Sequence, residues 1–309
     1  MGDLSPTLFM NKQTIYYLTV LKGMMTLTRK THLTPWLLIA PSIIYLTIFI
    51  AIPILGTVKL AFESPEGIFG NFKLLLSSKD FQNALLNTLM LAAIVIPIQL
   101  TLSILLAMLV NRKFSGYRTL IFIITAPLAL SDITAGLISY SIFAPNGYLN
   151  RFLIAMNMIE RPIYFFGYMF KSREFLIVVL TEIWRATPLV FIMILAGLQS
   201  INKEYIEAAE VFGFNAWQRT WKITLPLLRP AILSALLIRT LFAFQLFGVV
   251  WILAGRDIQV LAGETYYWYV FRNNRNVASA YALIIAVLTF VVGWLYVKTI
   301  RSKHLEEGA

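Results

Sequence analysis

Three stretches of this chain, Leu33–Val58, Phe81–Asn111 and Asn276–Val297, contain no Asp, Glu, Lys or Arg. A helix rises about 1.5 Å per residue, so about 20 apolar residues cross the roughly 30 Å hydrocarbon core of a bilayer. No water reaches the backbone there, and a helix satisfies its own N–H and C=O groups. Three further stretches have the length but carry charge. Thr119–Phe143 holds Asp132, Phe175–Leu198 holds Glu182 and Arg185, and Ala231–Ala254 holds Arg239. The expectation is an all-α polytopic membrane protein with six transmembrane helices and both termini on one side. Composition agrees: 59% of the 309 residues are hydrophobic and 13% charged. A soluble domain carries about 25% charged residues, so an ordinary soluble enzyme and a disordered chain are both excluded.

Positive charge sets orientation. With the N-terminus inside, fourteen Lys and Arg face inward and ten outward. The short turn 111–118 alone carries Arg112, Lys113 and Arg118 with no acid. The expectation is a multi-pass protein of the cell (cytoplasmic) membrane with the N-terminus and C-terminus inside. Residues 1–33 form a cytoplasmic leader, either poorly ordered or an interfacial helix, because Ile15, Leu18, Leu21 and Met25 recur at helical spacing. Residues 34–301 are expected to form one six-span membrane domain and 302–309 a cytoplasmic tail. The net charge of +11 is scattered between apolar runs, so no basic stripe points to nucleic acid.

Catalytic chemistry is sparse. There is no Cys, hence no disulfide, thiolate nucleophile or thiolate metal site. The two histidines, His32 and His304, lie outside the spans. No H-E-x-x-H occurs, and no Gly-Lys dipeptide, so no phosphate-binding P-loop is present. No catalytic residue, metal or cofactor is expected in this chain, and any ATP and Mg must sit on partner subunits.

The loop 199–230, between the fourth and fifth spans, is the most informative segment. Asn202 can cap a helix with Glu204 and Glu207 near its start, the end that favours negative charge. Ala208 and Ala209 keep one surface shallow, and Gly213 supplies a left-handed terminator. Asn215 can cap a second short helix bearing Trp217 and Trp221, with Pro226 and Pro230 expected to break it before the fifth span. The unit reads as a docking element on the inner face.

The run Glu207-Ala208-Ala209, then Gly213, then Ile223-Thr224-Leu225-Pro226 resembles the cytoplasmic "EAA" signature of ABC importer permease subunits in both spacing and position. Trp184-Arg185-Ala186-Thr187-Pro188 and Leu195 to Ile201 resemble carbohydrate importers of the maltose type. Arg239 to Phe244 and Trp251 to Gly255 resemble the MalF-like subunit, and the resemblance runs over most of 35–301. It implies a type I ABC importer permease fold with a cytoplasmic coupling-helix loop. It also implies a second homologous permease subunit, two ABC ATPase subunits and an external sugar-binding protein as partners. Glu207 would be the charged contact in an ATPase groove, Ala208 and Ala209 the close-approach surface, and Gly213 the turn, with Ile223, Leu225 and Pro226 completing the signature.

A charge near the bilayer centre costs about 2.5–3.5 kcal/mol on insertion scales, so the intramembrane charges need partners or water. Glu182 and Arg185, three residues apart, either pair with each other or touch substrate. Arg239, about 12 Å into its span, is expected to neutralise a carboxylate, and Asp132 belongs to the same pairing or interface set. Sugar recognition needs flat apolar faces beside polar groups. Phe244, Gln245, Gly248 and Trp251 in span five, with Trp184 in span four, are the candidates for the pathway. Spans three to five are expected to line it and the subunit interface, and the clean spans to face lipid more. The functional expectation is half of the pathway of an ATP-driven sugar or oligosaccharide importer. The alternatives are an ABC permease for a non-sugar solute and an ion-coupled secondary transporter, which would need paired carboxylates at an inverted-repeat interface.

Overall fold

The computed structural model describes residues 34–306, and the expected leader 1–33 lies outside the described residues. The described residues are helical throughout, with no strand. They fall into two compact units, one ending at Lys59 and the other beginning at Leu60. The helices are α1 (Thr34–Leu46), α2 (Ile52–Phe62), α3 (Gly70–Ser77), α4 (Lys79–Asn111), α5 (Tyr117–Thr125), α6 (Asp132–Phe143), α7 (Tyr148–Ala155) and α8 (Lys171–Ser200). The loop and the C-terminal part add α9 (Lys203–Val211), α10 (Ala216–Arg219), α11 (Leu225–Leu227), α12 (Arg229–Ala243), α13 (Gly248–Ala254), α14 (Leu261–Val270) and α15 (Arg275–Glu306). Five continuous helical stretches are long and apolar enough to span a membrane, and a sixth is a bent pair. The first, Trp36–Phe62, has no buried residue in its most apolar window, as a lipid-facing helix would.

Span four, α8, is the centre of the second unit, with 56% of its most apolar window buried. Span two, α4, carries charge only at its first two residues, Lys79 and Asp80, yet is next at 28%, above span five at 22%. The expectation that clean spans face lipid therefore fails for α4. Its Leu91 and Val95 enter one core cluster with Ile177, Val178 and Val249, and its Ala107 and Val110 enter another with Val190, Phe191 and Ile194. Its Gln99 and Ser103 side chains also donate to the backbone carbonyls of Glu182 and Thr187 at 2.8 and 3.3 Å.

Two spans depart from the sequence expectation. Span three is not one rod. Tyr117–Ala129 and the helices from Asp132 to Ala155 are bent by 105°. Pro127 lies in a tight turn, Leu130 and Ser131 are extended, and the Ser131 hydroxyl accepts from Thr134 N at 3.2 Å as a new N-cap. Asp132 then sits in the favourable first turn of α6. Span five begins earlier and ends sooner than expected. It runs Ala216–Ala243, because Thr220–Thr224 forms a π turn and Pro226 enters at the start of α11 just behind it. Pro230 likewise occupies a first-turn position, where its missing N–H costs nothing. Neither proline breaks the helix. The break comes instead at Phe244–Phe247, before α13.

The two breaks meet. A Cβ on Gly248 would lie 2.6 Å from the Asp132 Cβ, closer than side chains tolerate, so only glycine lets α13 touch the start of α6. Gly136 extends the same contact, with Ile252 Cβ 3.0 Å from where its own Cβ would stand. Substituting Gly248→Val should therefore destabilise the protein by about 1–3 kcal/mol through overpacking. Gly293→Ala, facing only Leu241 Cδ2 at 3.5 Å, should be close to neutral. Melting of the two variants in detergent checks the contrast.

Candidate functional site: a coupling loop and an intramembrane charge network

The loop is built from local capping. The Asn202 side chain accepts from Glu204 N at 3.2 Å and starts α9. Gly213, at φ +78°, ends it, with Phe214 N donating to Ala209 O at 3.0 Å. Asn215 and Gln218 form a reciprocal capping box at 2.8 and 3.0 Å. An ion pair between Arg219 and Glu210 ties the two helices together, and Trp217 packs on Trp221 with ring centroids 5.4 Å apart.

Glu204, Glu207, Ala208 and Val211 are all exposed, at the spacing of one helical face. Ala209 is not part of that face; it is 3% exposed and packs inward. The shallow outer surface is thus Ala208 alone, extended by Val211 and Phe212, which are 87% and 81% exposed. Ile223 and Leu225 are half-buried and Pro226 exposed in the helical run behind it.

Within the bundle the four expected charges are brought together. Arg185 grips Glu182 with two bonds, Nη2 to Oε1 at 2.7 Å and Nε to Oε2 at 3.1 Å. Its Nη1 reaches Asp132 Oδ1 at 2.7 Å. Arg239 donates from Nη2 to Glu182 Oε1 and from Nε to Gln99 Oε1, the latter at 2.6 Å. The network joins spans two, three, four and five and is formally neutral. Glu182, Gln99 and Arg239 are fully or almost fully buried, whereas Asp132 keeps 43% of its side chain exposed. Sequence reasoning missed Gln99. Its signal was an amide inside an otherwise charge-free span, which needs a partner as a charge does.

The pathway candidates divide. Glu182 is consumed by the two arginines, and Phe244 is buried among Ala61, Leu75 and Tyr281. Gly248 is covered by Asp132. These three are closed off within the chain. Trp184 and Gln245 are exposed, and Trp251 is half-buried. Only these, with the open side of Asp132 and Arg185, present chemistry outward.

A second polar cluster lies at the opposite end of the bundle from the loop. Arg256 holds both oxygens of the buried Glu264 at 2.9 Å, reaches Asp80 Oδ2 at 2.9 Å, and lies 3.7 Å over the Tyr267 ring. Burial pushes the Glu264 carboxyl up, against the pull of Arg256, while Glu264 and Asp80 outweigh burial and raise the Arg256 guanidinium.

Residues 67–301 match the family described as the inner membrane component of binding-protein-dependent transport systems. The chain belongs to that family. It is 31% identical over 236 residues to the lactose transport system permease LacF of Rhizobium radiobacter, covering 73% of this chain and 78% of LacF. Against the trehalose/maltose permease MalF of Thermococcus litoralis, identity is 26% over 289 residues, 86% of this chain and 94% of MalF. A bacterial alginate ABC transporter, solved in complex with its alginate-pentasaccharide-bound periplasmic protein, superposes with TM-score 0.78 at 25% identity, covering 86% of this chain and 93% of that one. The chain is thus a membrane-spanning transport component with the type I importer fold, and the expected MalF-like character is reflected in these likenesses.

The network makes a measurable prediction. Removing one partner of a buried pair leaves an uncompensated charge and costs about 3–5 kcal/mol. Arg239→Met should lower the detergent melting temperature sharply. Glu182→Gln combined with Arg239→Met should cost less than Arg239→Met alone, because Arg185 and Asp132 are then left as a neutral pair in place of one cation between two carboxylates.

Proposed function

We propose that this protein forms half of the translocation pathway of an ATP-driven importer for a sugar or oligosaccharide. A second homologous permease subunit supplies the other half, and two ABC ATPase subunits, which hold ATP and Mg, sit on the inner side. The observation that carries the reading is the exposed face of α9, with Glu207, Ala208 and Val211 outward and both helix ends rigidly capped. The names of the relatives support the cargo: lactose, trehalose/maltose and alginate systems. The alginate transporter bound to its periplasmic protein supports delivery by an external binding protein.

In this reading Glu207 meets a cationic or amide-lined groove of one ATPase, and Ala208 lets the two backbones approach. ATPase closure displaces α9 and α10. The displacement enters the bundle through α8 and α12, the two spans that flank the loop. The Glu182–Arg239 pair binds those spans to each other, and Gln99 binds them to α4. The network therefore moves as one body at depth, while the half-open Asp132–Arg185 bridge faces the pathway. Both termini lie inside, as the excess of inward positive charge indicates.

The non-sugar alternative is disfavoured for anions because Arg185 and Arg239 are both neutralised by carboxylates. Ion-coupled secondary transport is disfavoured because no uncompensated pair of carboxylates occurs among the described intramembrane residues.

Glu207 is exposed, so Glu207→Lys should leave the fold and the melting temperature unchanged. It should abolish copurification of the ATPases with the tagged chain, or uncouple their hydrolysis from transport. A lone chain that transports without any ATPase would overturn the reading.

A further inference from the structure

Beyond the helix break in span five, four aromatic rings stand against one another. Phe247 and Trp251 have centroids 5.6 Å apart, and each lies 5.0 Å from Tyr266. Phe271 lies 6.0 Å from Trp251 and 6.1 Å from Tyr266. The series starts at the break, next to the exposed Gln245 and one residue before the Gly248–Asp132 contact. It runs to the end of α14, away from the coupling loop. Exposure grows along it: Phe247 and Trp251 are half-buried, Tyr266 is 37% exposed and Phe271 63%.

Its outer end is held from behind. Tyr267 stacks on Phe271 at 5.9 Å and is itself covered by Arg256, which is fixed by Glu264 and Asp80. α14 packs against Trp251 at Gly263, with the Trp251 Cε3 at ordinary contact distance, 3.8 Å, from where a Cβ would stand. The outer end of the series is thus backed by Tyr267 and its cover, and it is the end at which the rings are most exposed.

We propose that Tyr266 and Phe271, with Trp251, form a saccharide-stacking track that receives neutral sugar rings on their way to the break between α12 and α13. This rests on the sugar reading above. The chemistry is that of carbohydrate faces: C–H-rich pyranose surfaces lie on aromatic rings, while hydroxyls find water or the amide of Gln245. Of the arginines beside the track, Arg256 and Arg185 are engaged by carboxylates, while Arg272, which follows Phe271, lies over the Tyr267 and Trp268 rings. Aromatic residues also gather at membrane interfaces, where each ring anchors the chain separately. Mutual contact over four rings, beginning at the break, is what a track needs and an anchor does not.

The test uses the complete importer, reconstituted in vesicles with its ATPases and binding protein, and radiolabelled lactose, trehalose and maltotriose offered in turn. Tyr266→Leu and Phe271→Leu should each raise the import KM about three- to tenfold, in line with the contribution of an aromatic pair. Binding-protein-stimulated ATP hydrolysis should stay near wild type, and Tyr266→Phe should retain the wild-type KM. Copurification with the ATPases confirms assembly of each variant. An unchanged KM in both leucine variants overturns the track and leaves the importer reading intact. So does a Tyr266→Phe variant as impaired as Tyr266→Leu. If the wild-type importer moves none of the three sugars, the neutral-sugar reading fails and the track fails with it.

Discussion

Glu182 is the point on which the membrane part of this protein depends. A fully buried carboxylate in a low-dielectric setting survives only if its charge is matched and both oxygens are bonded. Here Arg185 takes both oxygens, and Arg239 takes one of them again. Each arginine then needs a further acceptor, and Asp132 and Gln99 supply them. Satisfying one acid therefore fixes the rotation of four spans about their own axes. Apolar packing alone specifies such rotations weakly, since lipid is as apolar as leucine. Polar demand provides the register.

Much of the architecture was legible before any coordinates. The charge-free runs located spans one, two and six, since nothing but a helix tolerates their length in hydrocarbon. The capping signals at Asn202, Gly213 and Asn215 located the loop helices, because caps are local and depend on a few neighbours. The partnership of Arg239 with a carboxylate followed from the expense of a lone buried charge. The ends of the interrupted spans did not follow. Hydropathy averages across Leu130 and Ser131, so span three read as one rod, although Ser131 followed by Asp132 is an N-terminal signal in its own right.

Pro226 and Pro230 misled in the other direction. A proline inside a helical pattern usually ends it, but the rule rests on the lost hydrogen bond and the clash with the preceding turn. The π turn Thr220–Thr224 widens the ladder just ahead of Pro226 and removes that conflict. Phe244 and Gly248 take outward-facing roles from helical spacing, and Ala209 from its small side chain and the signature it belongs to. Their burial depends on which neighbours arrive from distant segments, and spacing along one helix carries no such information.

The continuity of Ala216–Ala243 has a mechanical consequence. A helix of 28 residues is a rod about 42 Å long, starting at the Trp217–Trp221 pair and ending where α12 stops. Clamped part-way along by Arg239, it is a lever with a fulcrum. A tilt imposed at the tryptophan end, about 34 Å from the clamp, reaches Ala243, about 6 Å beyond it, as a smaller displacement of opposite sense at the hinge to α13. The proline-tolerant π turn Thr220–Thr224 lies on the long arm, between the tryptophans and the clamp, so it sets the stiffness with which a push from below is delivered.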